Sequence, residues 1–348
     1  MDGPRCESQD LLAWFDRCRR DLPWRSTSDP YRIWVSETML QQTQVERVLP
    51  YYEQLVSTFS DVDALARAPL EDVLAVWSGL GYYRRARYLH AAARQIVARG
   101  GFPRTMAGWL ELPGVGPYTA GAVASIAFGE RVPAIDGNAA RVLSRFAALE
   151  DSPSGKTGRR RLTALAESLV DDDRPGDSNQ ALMELGAVVC RPSQPRCHEC
   201  PLEASCKGRL QGAAEAYPRR KPSRQVIEER RLGVVVRAGG RVLLFRRPEG
   251  ASLLAGLWEI PWIAWCARDN AARELRSRYG GNWDLDRSCG WVRHSITHRD
   301  IRFEVWTGRL TSGCHIAENP EAGWYTETEV GGLAVSSLVD KVMRCAAD

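Results

Sequence analysis

Nothing in this chain of 348 residues is apolar for long enough to cross a bilayer. Its opening stretch, MDGPRCESQDLLAWF, has acidic and polar residues where a secretory leader carries an apolar segment, so a reducing compartment is expected. Neither sign of charge dominates: 47 basic against 43 acidic residues leave a net +4, so bulk charge identifies no partner. Histidine is scarce, with five in all. The one that precedes the central cysteines, His90, is followed by Ala91 and Ala92, so the H-x-E element of a zinc nucleobase deaminase is missing. No internal repeat is visible. The composition is otherwise that of an ordinary soluble globular protein.

Cysteine is present, and its placement is informative. Cys190, Cys197, Cys200 and Cys206 form a C-x6-C-x2-C-x5-C run, while Cys6, Cys18, Cys266, Cys289, Cys314 and Cys345 are scattered without ligand spacing. A reducing compartment argues against a disulfide framework. Four thiolates this close in sequence make a low-entropy chelate, and the spacing fits a zinc site or a [4Fe–4S] cluster equally well.

The length implies roughly two domains. Residues 1–208 read as helical, with apolar positions at 3.6-residue spacing. Residues 209–230, polar, basic and holding two prolines, read as a linker. Residues 231–348 read as α+β: LGVVVRAGGRVLLFRR gives two strands around an Ala-Gly-Gly turn, and DIRFEVWTGRL a further strand. Basic residues cluster in YYRRAR, GRRRL and YPRRKPSR, and several such clusters together favour phosphate binding.

Three features of the helical part carry chemistry. LPGVG, Leu112 to Gly116, has the form of a helix–hairpin–helix turn, with Gly114 and Gly116 expected to take unusual φ and Pro117 to open the next, Ala/Gly-rich helix. The exposed amides at that helix start suit a DNA phosphate. Twenty residues past Gly116, Asp136 stands in AIDGN, where it can cap a helix and, being fixed, stabilise a developing oxocarbenium ion. Asp29 and Pro30 mark the start of another helix, on which Ile33, Glu37, Leu40 and Gln44 share one face. A glutamate on an apolar face keeps its proton if buried. A general acid and a cation-stabilising carboxylate are what breaking an N-glycosidic bond requires.

WVSETMLQQTQV, WSGLGYYRRAR, LPGVGPYTAGA, AIDGNAARV, NQALMELGAVVC and the cysteine run, in this order, resemble the adenine DNA glycosylase (MutY) family of the endonuclease III-like superfamily over nearly the whole chain. The resemblance implies a multi-domain protein: an all-α helix–hairpin–helix glycosylase domain with an iron–sulfur loop, and an α+β Nudix-like domain that recognises 8-oxoguanine. It implies excision of adenine opposite 8-oxoguanine or guanine in double-stranded DNA, by a monomer, with no membrane association and a cytoplasmic, nucleoid-associated location. Glu37 would protonate adenine at N7 and position the water, Asp136 would stabilise the sugar cation, and Tyr118 and Asn138 would assist. Trp24, Arg25 and Leu40 would line the adenine pocket, with Glu184 on the exocyclic amine. Gln42 and Tyr82 would wedge into the duplex.

Relatives that also cut the strand carry a Schiff-base lysine two residues past LPGVG; here Tyr118 fills that place, which implies a monofunctional enzyme. The cysteines would hold a [4Fe–4S] cluster that fixes a loop whose Arg191, Arg196, Lys207 and Arg209 meet the DNA backbone. In the C-terminal part, RELRSRYGG (Arg273 to Gly281) departs from the Nudix signature, with Ser277 and Arg278 in the metal-binding glutamate slots, so no nucleotide hydrolysis is expected. The family's Phe-Ser-His recognition loop is matched by Ile296, Thr297 and His298, with Ile296 a departure that can wedge but cannot stack. Trp291, Trp306 and Trp324 are expected in the core. Two other readings stand beside this one: a bifunctional glycosylase/lyase, against which Tyr118 and Glu37 argue, and a non-catalytic DNA-binding module, against which the intact acid pair argues.

Overall fold

The computed structural model describes residues 4–219, 226–248, 250, 251, 253–296, 298–311 and 321–347. Along the chain run α1 (Pro4–Cys18), α2 (Pro30–Leu40), α3 (Val45–Thr58), α4 (Val62–Arg67), α5 (Leu70–Val76), α6 (Arg84–Ala98) and α7 (Met106–Leu110). They are followed by α8 (Pro117–Phe128), α9 (Gly137–Phe146), α10 (Lys156–Leu169), α11 (Pro175–Val188) and the short α12 (Lys207–Leu210). The strands are β1 (Ile227–Ala238), β2 (Arg241–Arg246), β3 (Trp258–Glu259), β4 (Trp262–Ala264), β5 (Asn282–Ile296), β6 (Arg299–Thr311) and β7 (Ala322–Tyr325). Helix α13 (Arg268–Tyr279) lies between β4 and β5, and α14 (Glu327–Gly331) and α15 (Ser337–Cys345) follow β7.

The chain divides into two compact units, Met1–Arg67 with Arg87–Pro222, and Ala68–Ala86 with Ser223–Asp348. The first is helical. One of its cores joins α1 (Leu11, Phe15), α9 (Val142, Leu143), α10 (Leu162, Leu169) and α11 (Leu182, Leu185). The stretch read as a linker begins inside this unit: buried Tyr217 accepts a hydrogen bond from Arg145 at its carbonyl, and Arg219 pairs with Glu150 at 2.8 Å.

The second unit is built on a sheet in the order β3-β2-β1-β6-β5, with β4 also on β1 and β7 also on β2. Among the described strands β1 and β6 pair in parallel, and the other strand pairs are antiparallel. Val234, Val236 and Leu243 face Ala271 and Leu275 of α13. Val235, Phe303 and Val305 face Leu338, Val339 and Val342 of α15 on the other side. The Ala-Gly-Gly turn falls where expected between β1 and β2, with both glycines at positive φ. The segment Ala68–Ala86 joins this unit through Tyr83 and Ser78, whose hydroxyls donate to the Val335 carbonyl, and through a Glu71–Arg246 ion pair at 2.9 Å.

Three sequence expectations are corrected. Helix α2 starts at the Asp29 cap as anticipated but ends at Leu40, so Gln44 is not on its face; it is the N-cap of α3. Trp306 and Trp324 do pack against the α13 face of the sheet, but Trp291 is 50 % exposed, next to the exposed Trp265. In the hairpin only Gly114 takes a positive φ, +74°, whereas Gly116 at φ −96° has a conformation open to any residue. Gly114 is also sterically constrained, because a Cβ there would lie 2.4 Å from Cβ of Tyr88 and force a shift, while one at Gly116 meets nothing. Gly114→Ala should therefore lower unfolding stability by about 1–3 kcal/mol, and Gly116→Ala should leave it within about 0.5 kcal/mol. Denaturant unfolding of both variants checks the contrast.

Candidate active site

The helical unit contains a cleft of about 910 Å³ lined by the 3-10 turn Pro23–Arg25, the end of α2, the first turn of α8, the N-terminus of α9 and one face of α11. Helix α2 is buried almost all round, from Tyr31 to Met39, so a glutamate in its third turn has nowhere to go but inward. Glu37 is 5 % exposed. The Tyr118 hydroxyl, in the first turn of α8, donates to Glu37 Oε2. Burial drives the Glu37 pKa up, Tyr118 draws it back, Asp136 pushes it up and Arg25 pulls it down, and the balance is about 7. Burial and the two carboxylates hold the Tyr118 phenol well above its ordinary value, so it remains a donor.

Asp136 caps α9 as the sequence suggested. Its Oδ1 accepts from Ala139 N at 2.7 Å and its Oδ2 from Asn138 Nδ2 at 2.9 Å. Burial raises its pKa against those hydrogen bonds. Asn138 is in turn held by Arg141, whose guanidinium donates to Asn138 Oδ1, the Gly186 carbonyl and the Cys190 carbonyl, each at 2.8 Å. Helix α11 comes this close because residue 186 is glycine: a Cβ there would sit 2.6 Å from Asn138 Cβ.

Glu184, on α11 and 1 % exposed, takes both Arg20 and Arg25. Its Oε1 accepts from Arg20 N (3.1 Å) and Nε (2.8 Å), and its Oε2 from terminal nitrogens of Arg20 (2.9 Å) and Arg25 (2.8 Å). Burial raises its pKa, but these bonds outweigh it and hold the group at about 2. Four hydrogen bonds fill the two oxygens, so the expected contact with an exocyclic amine requires one guanidinium to move.

Trp24 stacks edge-on against Tyr52 at 5.1 Å and, with Leu40, lines the cleft. Gln42 also lines it, at φ +58°, a strained value for a non-glycine residue. The structure brings the candidates Glu37, Asp136, Tyr118, Asn138, Trp24, Arg25, Leu40 and Glu184 into this one cleft, together with Gln42, which was expected at the duplex. Sequence reasoning missed Arg20, Arg141 and Met183, which have no local pattern and whose partners here include Glu184, the Cys190 carbonyl and Tyr118, tens of residues away in sequence.

The remaining site candidates lie elsewhere. Tyr82 groups with the C-terminal unit, 48 % exposed at φ +51°. Thr297 lies outside the described residues. His298 sits at the β5–β6 turn, its carbonyl accepting from Ile227 N at 2.8 Å. Ile296, expected to wedge outward, packs partly against the α15 core. In α13, Ser277 is exposed and the Arg278 guanidinium lies 4.0 Å over the Trp262 ring, so this slot holds a cation and not a metal ligand.

Cys190, Cys197, Cys200 and Cys206 line one cavity. Arg145, 2 % exposed, staples the loop by donating to the carbonyls of Arg191 (2.7 Å), Pro192 (2.9 Å) and Tyr217 (3.1 Å) and to Cys190 Sγ (3.4 Å). Burial and the neighbouring thiols push Cys200 up to about 12 and raise Cys206, so four thiolates here need a cationic centre. Of the basic residues expected at DNA, Arg191 and Lys207 are exposed, while Arg196 pairs with Glu199 at 2.9 Å and Arg209 with Glu203 at 2.5 Å.

A carboxyl that stays protonated in the fold up to about pH 7, but ionises near 4.5 when unfolded, lowers stability progressively as pH rises between those values. Glu37→Gln removes that penalty. The variant should be more stable than wild type by about 3 kcal/mol at pH 8, with no gain at pH 4; thermal unfolding against pH measures it.

Residues 35–168 match the family model of HhH-GPD superfamily base excision DNA repair proteins, and residues 231–345 match a NUDIX domain. The chain is similar to the adenine DNA glycosylases of Homo sapiens, at 36 % identity over 96 % of this chain and 72 % of the relative, and of Mus musculus, at 36 % over 97 % and 77 %. The structure of a thermostable thymine-DNA glycosylase superposes with a TM-score of 0.55 at 29 % identity, covering 60 % of this chain and 97 % of that one. With these matches over nearly its whole length, the chain belongs to the adenine DNA glycosylase family, hydrolases of the N-glycosidic bond.

Proposed function

We propose that this protein removes adenine lying opposite 8-oxoguanine or guanine in double-stranded DNA, as a monofunctional hydrolase that leaves an abasic site. The observation that carries the reading is the hydrogen-bonded Glu37–Tyr118 pair sharing one cleft with the capping carboxylate Asp136. The adenine leaves the stack and enters the cleft against Trp24 and Leu40. Glu37, with its pKa near 7, gives its proton to N7 and then positions the water. Asp136, held by Ala139 and Asn138, faces the positive charge that develops on the sugar. Tyr118 and Asn138 act by holding these two carboxyls. Tyr118 has no amine with which to form an imine, so the strand is not cut.

DNA is held by the hairpin at Gly114 and Gly116, where the amides opening α8 meet a phosphate. Gln42 and Tyr82 probe the duplex; the positive φ of both is the kind of strain found at working positions. Residues 231–348 read the opposite base through Thr297 and His298. The four cysteines hold a [4Fe–4S] cluster. Their lining of a common cavity, with Arg145 against Cys190 Sγ, supports it. When bound, the cluster supplies a rigid support for the loop, and Arg145 and Arg141 tie that loop to α9.

Single-turnover cleavage of a labelled duplex with adenine opposite 8-oxoguanine tests the reading. Wild type should nick only after alkali and resist borohydride trapping. Glu37→Gln should fall by about 10²–10⁴-fold, and Asp136→Asn should also be impaired. Nicking without alkali would contradict the monofunctional reading, and full activity in Glu37→Gln would contradict the role of the acid.

A further inference from the structure

We propose that Met183 is an oxidation site through which peroxide switches the enzyme off, by drawing the Tyr118 hydroxyl away from Glu37; this rests on the reading of Glu37 as the general acid. Met183 stands on α11, half-buried, and lines the cleft beside the acid. Its Sδ lies 3.3 Å from the Tyr118 hydroxyl, the same hydroxyl that donates to Glu37 Oε2. Met39, on the opposite flank of α2, is fully buried, which separates the two methionines by access to solvent.

A phenol has one proton to donate. A thioether is a weak acceptor and a carboxyl a strong one, so with Met183 reduced the proton stays with Glu37. Oxidation reverses the preference. A sulfur lone pair attacks one peroxide oxygen, the O–O bond breaks as the S–O bond forms, and the second oxygen leaves as hydroxide, which takes the proton from the sulfur-bound oxygen to give water and the sulfoxide. Sulfur is oxidised by two electrons and the peroxide is reduced. The product sulfoxide is a strong, polar acceptor placed within reach of Tyr118. Glu37 then loses the hydrogen bond that orients it.

The charged and titratable groups that face Glu37 are Tyr118 from α8, Asp136 from the cap of α9 and Arg25 from the 3-10 turn. Tyr118 and Arg25 lower its pKa and Asp136 raises it. Losing the Tyr118 bond thus leaves a carboxyl that titrates at higher pH and is less well aimed. Excision slows while the alkaline limb of its pH profile moves upward, a combination that simple loosening of the fold does not produce.

The test uses the full chain with its metal centre. Wild type and Met183→Leu are treated with hydrogen peroxide. Met183 oxidation is then mapped by peptide mass spectrometry, and single-turnover excision is measured before and after methionine sulfoxide reductases A and B. Wild type should lose about tenfold in rate in step with Met183 sulfoxide and recover with the reductases. Met183→Leu should keep its own untreated rate through the same exposure. Untreated Met183→Gln, which places an amide acceptor there, should show the upward-shifted alkaline limb. Equal, irreversible inactivation of wild type and Met183→Leu, with loss of the visible metal absorption, would overturn the proposal, as would a Met183 that stays reduced. Glu37→Gln serves as the separate control: if it is as active as wild type before treatment, the general-acid reading fails and takes this proposal with it.

Discussion

Glu37 is carried into the helical unit by a helix that is buried on nearly every side, and its carboxyl ends where water is scarce. A carboxyl so placed retains its proton unless donors or cations compensate. One donor, Tyr118, is present, and one further carboxyl, Asp136, works against ionisation. The arrangement lowers stability near neutral pH, and the surrounding contacts over-determine it. Asp136 is locked by a helix cap, Asn138 by Arg141, and Arg141 by the main-chain carbonyls of Gly137, Gly186 and Cys190.

The other buried carboxyl, Glu184, shows the opposite solution to the same problem. It is as inaccessible as Glu37, yet two guanidinium groups keep it ionised. Two glutamates in one cleft are thereby pushed to opposite ends of the carboxyl range, which is how one site holds an acid and an anion side by side. Arg25 takes part in both, as a partner of Glu184 and a weak influence on Glu37.

Much of this was legible in the sequence, where the signal is local. Asp29 before Pro30 fixed the start of α2, and Asp136 before Gly-Asn the start of α9. The Ala-Gly-Gly turn fixed the β1–β2 hairpin. What failed was what depends on packing partners. Gln44 left the face of Glu37 because the chain turns at Gln41–Thr43, a break no periodicity announces. Trp291 looked like a core residue because strand alternation says which residues share a face but not which part of that face a helix covers. Arg20 lies in a run of ordinary charged residues, and its partner is 164 positions away. The resemblance implied roles for Tyr118 and Asn138, and the structure supplied the hydrogen bonds from Tyr118 to Glu37 and from Asn138 to Asp136.

The central claim is that Glu37 holds a proton in the fold near neutral pH. Difference infrared spectra of wild type minus Glu37→Gln, recorded from about pH 5 to about pH 9, report that proton directly. A protonated-carboxyl band that disappears with a midpoint near 7 is the expected result. A band already lost at the ordinary carboxyl value of 4.5 would contradict it.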